Sequence, residues 1–235
     1  MNTEEKEKLY AQIDSLLEIY NEISPLNKDG SFKIELVNLT INKMIDYIID
    51  DENFKSNLKE WFEKKEFWTS PASTKYHGNT KGGLAAHSLA VIKIALDFSK
   101  SIFEKFEQTN YSEKYSITAE DIFIAALAHD FCKAGFYSTE FKKTKNFEGN
   151  WVYEPYYKTK SDNKNLGHGN ESVLQLLEIC PLLIKKRHII EAISRHMGFS
   201  DLSDSESYNY SQFLRNPLVI LIQLADQIAA QWFNY

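Results

Sequence analysis

Histidine and aspartate residues occur inside apolar stretches of this sequence, where burying them is costly unless they are paired or bind a metal. His129 and Asp130 are adjacent in the run IAALAHDFCKAG, which has the apolar pattern of a buried helix. Neighbouring helical residues point about 100° apart, so the pair could hold one ion while Asp130 bridges to a second. The two residues alone leave another interpretation open, a buried hydrogen bond between histidine and aspartate.

Four more residues of metal-ligating type lie at the ends or in the interior of predicted helices. His87 lies one turn into a helix, His168 begins one, and His196 ends one. Asp226 is a lone carboxylate on the apolar helix LVILIQLADQIAA and needs a partner. Four imidazoles and two carboxylates on five helices can converge in a bundle core. This mixture of ligands suits Fe, Mn, Zn or Ni rather than Ca.

Apolar periodicity of the helical type runs through most of the chain and predicts an all-α protein. Thr3 is the expected cap of the first helix, and Thr118 with Asp121 resembles a capping box. A loop is expected over residues 69–83, and FEGNWVYEPYYKT predicts a short β-hairpin. The predicted helices span residues 3–23, 32–49, 53–66, 84–106, 121–134, 168–179, 181–196 and 217–233.

Composition and charge exclude several classes of function. The net charge of −6 and the lack of a basic helix argue against a protein that reads duplex DNA. No apolar run approaches the roughly 18 residues of a membrane span. The N-terminal segment lacks the apolar core of a signal peptide, and the two cysteines, Cys132 and Cys180, have no CxxC spacing. We expect a cytoplasmic protein with reduced thiols.

The segments GGLAAHSLAV, ALAHDFCKAG, LGHGNES, ISRHMG and LADQIA resemble the ordered motifs of HD-domain metalloproteins, H…HD…H…H…D. The resemblance runs over about residues 71–230 and is closest to bacterial HD-domain hydrolases, including the HD domains of some exoribonucleases. It implies an HD-domain helical bundle over residues 69–235, with a small β-hairpin insertion. Residues 1–68 would then form an N-terminal helical segment that packs on this core or makes a contact in a homodimer.

The resemblance also implies two divalent transition-metal ions, Mn, Fe, Ni, Co or Zn, bridged by Asp130. The ligands of the first would be His87, His129, Asp130 and Asp226, and those of the second Asp130, His168 and His196. Such a site would hold a phosphoryl group and activate a hydroxide that attacks phosphorus in line. Lys133 takes the place of the family's HD..K lysine, where it would stabilise phosphate oxygens or the bridging carboxylate. A salt bridge without a catalytic part is its other interpretation.

Several further residues are candidates for contacts with substrate, each with a plainer alternative. His77, in the loop before the first ligand helix, could contact phosphate or act as a general acid, or be an ordinary loop histidine. Arg195 could reach a substrate anion or pair with a surface carboxylate. His188 falls about 80° round the helix from His196, which predicts a surface position. Basic and aromatic residues of the hairpin could hold a nucleobase and its phosphates or form a satellite core; they include Lys142, Lys143, Trp151 and Tyr153.

The resulting hypothesis is a metal-dependent phosphohydrolase that cleaves a phosphomonoester or phosphodiester. Its partner would be a phosphorylated small molecule, a nucleotide or a short single-stranded nucleic acid. The same ligand order also supports diiron oxygenases, and a third hypothesis is a regulatory module that binds metals without catalysis. Oxygen consumption would identify an oxygenase, because hydrolysis needs no O₂. Retained metal binding without turnover would identify the regulatory module.

Overall fold

Nine α-helices, four short 3₁₀ segments and one β-hairpin make up most of the residues that the computed structural model describes, 2–160 and 166–235. The fold is therefore all-α with a small β insertion, as the sequence predicts. The helices are α1 (Thr3–Ile23), α2 (Ile34–Ile48), α3 (Glu52–Lys64), α4 (Gly83–Phe106), α5 (Ala119–Ala128), α6 (His168–Ile179), α7 (Arg187–Ser194), α8 (Asp204–Phe213) and α9 (Pro217–Gln231).

The helix α4 is the centre of the bundle. It packs against α9 and α5, while α1 and α2 cover another of its sides. Residues of α1 and α2, such as Ile13, Leu16 and Ile41, belong to the same buried cluster as Leu89 and Ile92 of α4. The N-terminal helices thus bury their apolar faces on the bundle. A domain boundary after residue 68 stays a prediction.

A cluster of aromatic rings lies behind the turn that follows α5. Phe131 stacks on Trp61 with ring centroids 4.4 Å apart, and Phe62 stacks on Phe67 at 4.5 Å. Phe131 also meets Phe62 and Phe67 edge to face. Such contacts are worth about 0.5–1.5 kcal/mol each beyond the area that they bury. The cluster therefore fixes the position of the residue next to Asp130.

The prediction of a helix over residues 121–134 is wrong at its C-terminal end. α5 ends at Ala128, His129 and Asp130 lie in a turn, and a 3₁₀ segment follows at Phe131–Lys133. The main-chain N–H of Cys132 donates to Ser172 Oγ of α6 at 3.1 Å, a tertiary bond that replaces the helical one. A contact between distant residues thus ends the helix.

Helix capping agrees with the sequence at one predicted position and differs at another. The Thr118 and Asp121 capping box is present, with bonds of 2.9 and 3.1 Å. Thr3, in contrast, is the first residue of α1, and Asn2 is its cap. Asn2 Oδ1 accepts a hydrogen bond from the N–H of Glu5 at 2.8 Å, and Glu5 Oε2 accepts one from the N–H of Asn2 at 2.9 Å.

The predicted helix over residues 181–196 is divided. A 3₁₀ segment, Pro181–Lys185, is followed by α7, and Lys186 between them has a non-helical backbone. Its ammonium lies 2.7 Å from Asp121 and 3.0 Å from Glu120 at the start of α5. α8 is absent from the helices predicted from the sequence, although its start carries a capping box of Ser203 and Glu206.

The hairpin consists of β1 (Tyr137–Lys145) and β2 (Trp151–Thr159), paired antiparallel over their whole length. The prediction of a hairpin is confirmed, and its strands extend beyond the predicted segment. The side chain of Asn146 accepts from the main chain of Glu148 and Asn150 and closes the turn. At the base, the N–H of Lys160 donates to the carbonyl of Phe136 at 3.0 Å. The chain therefore enters and leaves the hairpin at neighbouring points.

In the described part of the chain, no helix has the length and apolar character needed to cross a membrane. Neither Cys132 nor Cys180 forms a disulfide among the same residues.

The loop before α4 is held against the start of that helix by a close backbone contact. A Cβ atom at Gly83 would lie 1.9 Å from the carbonyl oxygen of Gly78. The loop is also tied by bonds from Leu84 N to Ser70 O at 3.0 Å and from Ala72 N to Gly78 O at 2.9 Å. Only glycine allows this approach, which places His77 between the two anchored ends.

We expect Gly83→Ala to lower the melting temperature by about 2–12 °C, because overpacking against backbone costs about 1–3 kcal/mol in a chain of this size. Gly149→Ala is the matched control, since no atom lies within 4 Å of that position and only its φ of 82° is strained. Thermal unfolding measures both variants. A wild-type melting temperature in Gly83→Ala would contradict the close packing of the loop.

Candidate metal centre

Three side chains from three different helical elements meet in the middle of the bundle. His87 comes from α4, His129 from the turn after α5 and Asp226 from α9, and their ligand atoms lie within 4.8 Å of one another. His87 Nε2 is 3.1 Å from both His129 Nε2 and Asp226 Oδ1. Both histidines are fully buried and have no contact with water. Their polar atoms must therefore be satisfied by the neighbouring side chains or by a bound ion.

The main chain sets the orientation of three imidazoles. His87 Nδ1 lies 2.9 Å from the main-chain oxygen of Tyr235. His129 and His196 make the same contact, each at 2.7 Å, with the carbonyls of Ala126 and Ile193. Because a main-chain oxygen only accepts, each Nδ1 carries a proton, and each Nε2 faces the centre, where it can serve as a metal ligand. Metal-ligating histidines are oriented in this way in proteins.

Asp130 lies between the histidines of the centre and Lys133. Its side chain is 2% exposed, with Oδ2 2.6 Å from Lys133 Nζ and 3.4–3.5 Å from Nε2 of His87 and His129. Oδ1 points the other way, 3.6 Å from His196 Nε2, which exceeds a hydrogen bond. Within the described residues, neither Asp130 Oδ1 nor His196 Nε2 has a hydrogen-bond partner. A cation between these two atoms would satisfy both.

A second group of possible ligands contains Asp130, which also lies 3.4–3.5 Å from two histidines of the first group. The ligand atoms of Asp130, Cys132 and His168 lie within 4.8 Å of one another, and His168 Nδ1 is 3.7 Å from Cys132 Sγ. The structure thus brings all six sequence-predicted ligands into one neighbourhood. Cys132 was not among them, although its position two residues after Asp130 was the available signal.

The electrostatics of the centre keep its carboxylates charged. Burial acts to raise the pKa of Asp130, but the Lys133 ammonium and His129 hold it well below its usual range. Burial acts likewise on Asp226, and its contacts with His87 and His129 lower its pKa. The neighbouring Asp130 in turn raises the pKa of the buried Lys133. Two anionic carboxylates and neutral imidazoles are the protonation states that metal binding requires.

His77 lies next to His87, in the loop before α4. Its ring centroid is 5.0 Å from that of His87. Burial, together with the nearby His87 and Lys133, lowers the pKa of His77 to about 4. A neutral His77 at pH 7 favours a hydrogen bond to substrate over the role of general acid.

The remaining candidates are distributed around the centre. Arg195 Nη2 lies 3.3 Å from Glu206, and its guanidinium covers the ring of Phe213 at 4.7 Å. His188 Nε2 is 3.1 Å from Asp121 Oδ2, near the start of α5 and so about one helix length from His129. His188 is therefore part of a structural ion cluster away from the ligands, and it is partly buried there rather than on the surface as predicted.

The hairpin divides its predicted substrate residues between two faces. Lys143 pairs with Tyr153, and Trp151 lies two residues further along the same face. Lys142 is on the opposite face, 3.9 Å from Glu154. Lys142 also borders a cavity of about 650 Å³ between the hairpin and the His77 loop. The other lining residues are Thr74, Lys75, Asn79, Thr80, Lys81, Pro155, Tyr156 and Tyr157.

The chain is thus an all-α protein, and the imidazoles and carboxylates at the centre of its helical bundle are of the types that bind metal ions. The family model of the HD domain matches residues 84–231, more than half of the chain, and spans all six predicted ligands. The chain belongs to the HD domain family, whose members form a superfamily of metal-dependent phosphohydrolases. No curated protein and no solved structure matches the chain.

We expect Mn²⁺ to raise the melting temperature of the metal-stripped protein by about 5–11 °C at one hundred times its dissociation constant. His129→Ala should lose most of this shift, because it removes a ligand that the first group of residues needs. His188→Ala is the histidine control and should keep the shift, although it starts from a lower temperature. Equal shifts in all three proteins, measured by calorimetry, would show that the ion binds elsewhere.

Proposed function

We propose that the chain hydrolyses a phosphoester at a centre of two divalent transition-metal ions. The observation that carries this is the position of Asp130, whose two oxygens face two separate groups of ligands. His87, His129 and Asp226 would complete one ion, and His168 and His196 the other. Cys132 borders the second position as a soft thiol that would favour a transition metal over Mg²⁺.

When bound, the ions would supply Lewis acidity for the phosphoryl oxygens and a water of lowered pKa as nucleophile. The residues of the chain would position the ions and the substrate. Asp130 and Asp226 place their negative charge around the ions, and Lys133 holds Asp130 through a bond of 2.6 Å. His77 would donate a hydrogen bond to a phosphate oxygen from the loop side. The bundle excludes water from behind the centre because His87 and His129 are fully buried.

The cavity beside the His77 loop supports a substrate with more than one anionic group. Three lysines from two segments, Lys75, Lys81 and Lys142, line it together with Tyr156 and Tyr157. Its volume of about 650 Å³ lies within the range of small-molecule sites, about 300–1,000 Å³. Lysines would hold phosphate, and tyrosine rings would pack on a base or sugar. A nucleotide or the end of an oligonucleotide fits these features.

A hydrolysis screen tests the proposed function. We expect turnover of nucleotides, cyclic dinucleotides or short single strands with Mn²⁺, Co²⁺, Ni²⁺ or Fe²⁺, at the same rate with and without O₂. Asp130→Ala should lower kcat by at least about a thousandfold, because it removes the group that both ions share. Phosphate or nucleotide release measures the rate. Full activity in Asp130→Ala would contradict the proposal, and His188→Ala should retain wild-type turnover.

Lys133→Met separates a catalytic lysine from a structural one. Removing the ammonium takes away charge that would stabilise phosphate oxygens in the transition state, so kcat should fall about 10²–10³-fold. Bound metal, measured by elemental analysis, should stay within a factor of two of wild type. Loss of metal in parallel with kcat would instead show that Lys133 only maintains the position of Asp130.

A further inference from the structure

The two faces of the hairpin differ in composition. Side chains alternate along each strand, so Phe141, Lys143 and Lys145 share a face with Tyr153 and Trp151 of the partner strand. We call this set the aromatic-basic face. It includes no acidic residue of either strand, and its rings are open to solvent, with Phe141 65%, Tyr153 70% and Trp151 61% exposed.

The opposite face neutralises its own charges. Lys158 lies 3.4 Å from Glu140, and Lys142 lies 3.9 Å from Glu154. Tyr156 donates a hydrogen bond to Glu140 at 2.7 Å. Lysines and acids thus alternate on this side, and its Lys142 and Tyr156 border the cavity beside the His77 loop.

The lysines of the aromatic-basic face have a different partner. Lys143 and Lys145 each place Nζ 5.1 Å from the ring centroid of Trp151. Neither forms an ion pair with a carboxylate among the described residues. Their positive charge stays available in a chain whose net charge is −6. Large aromatic residues are costly to leave exposed to water, and a contiguous patch of them is typical of an interaction site.

This face leads from the metal centre outwards. Tyr137 begins β1 on the same face, four residues after Lys133 in the chain. At the rise of a strand, residue 145 lies about 26 Å beyond it. Pro155 and Tyr157 also belong to this face and line the cavity beside the His77 loop. The aromatic-basic face therefore begins four residues after Lys133 in the chain and borders the cavity beside the His77 loop.

We propose that the aromatic-basic face binds single-stranded nucleic acid and leads it towards the metal centre. Exposed rings stack on bases, and lysines between them hold the phosphates, which is the usual arrangement for sequence-tolerant binding of single strands. A duplex would hide its bases from these rings. The substrate class, an oligonucleotide rather than a free nucleotide, rests on the proposed function, but the binding itself does not.

The test measures the affinity of the full chain for a 15-residue oligothymidylate with a fluorescent label, by anisotropy in EDTA so that nothing is cleaved. Trp151→Ala should weaken binding about 5- to 150-fold through the loss of base stacking. Tyr208→Ala is its control, an exposed aromatic residue on α8. Lys143→Gln should make the slope of log affinity against log salt shallower by about 0.7. Lys158→Gln removes the same charge from the opposite face and should leave the slope unchanged.

The outcomes separate the two proposals. Equal effects of Lys143→Gln and Lys158→Gln, equal binding of a duplex, or no binding at low salt would overturn the assignment of this face. Wild-type hydrolysis of bis-p-nitrophenyl phosphate with no binding of the single strand would reject the face and leave the proposed function intact. Binding that depends on Trp151 and Lys143, without hydrolysis of any phosphoester, would support the face and reject the proposed function.

Discussion

The constraint on which the structure depends is the burial of the Asp130 carboxylate. An unpaired carboxylate in a protein interior costs several kcal/mol, so its surroundings must supply positive charge or donors. Lys133 satisfies Oδ2 at 2.6 Å, while Oδ1 faces His196 Nε2 at 3.6 Å without a bond. The end of α5, the 3₁₀ turn behind it and the aromatic rings on Phe131 all hold this one side chain in place. The unsatisfied oxygen is the reason to infer an ion.

Charge balance connects the centre with its surroundings. Asp130 and Asp226 contribute two carboxylates and Lys133 one ammonium, and the surrounding imidazoles supply further ligand atoms for a cation. Once divalent ions are held there, their positive charge attracts phosphate. The lysines of the cavity extend that positive region towards the hairpin. An acidic chain can in this way present a locally basic path to an anionic substrate.

The sequence allows candidate ligands to be picked out because buried charged groups are unusual within apolar helices. His129, Asp130 and Asp226 are recognisable for this reason, and the ordered spacing of the motifs identifies the family. The end of α5 depends on Ser172 in a distant helix, and the break at Lys186 depends on Asp121. No local pattern contains such contacts. The main-chain oxygens of Ala126, Ile193 and Tyr235 orient the imidazoles, and any residue type could supply such an oxygen. The sequence therefore could not predict these contacts.

The hairpin begins and ends at almost the same point, where Lys160 bonds to the carbonyl of Phe136. A ribbon attached in this way is a module in the evolutionary sense. It can be lengthened, shortened or exchanged between related proteins while the ends of the bundle stay where they are. Under the proposed function, changes among its roughly twenty surface residues would alter substrate preference without moving the candidate metal ligands in the helices.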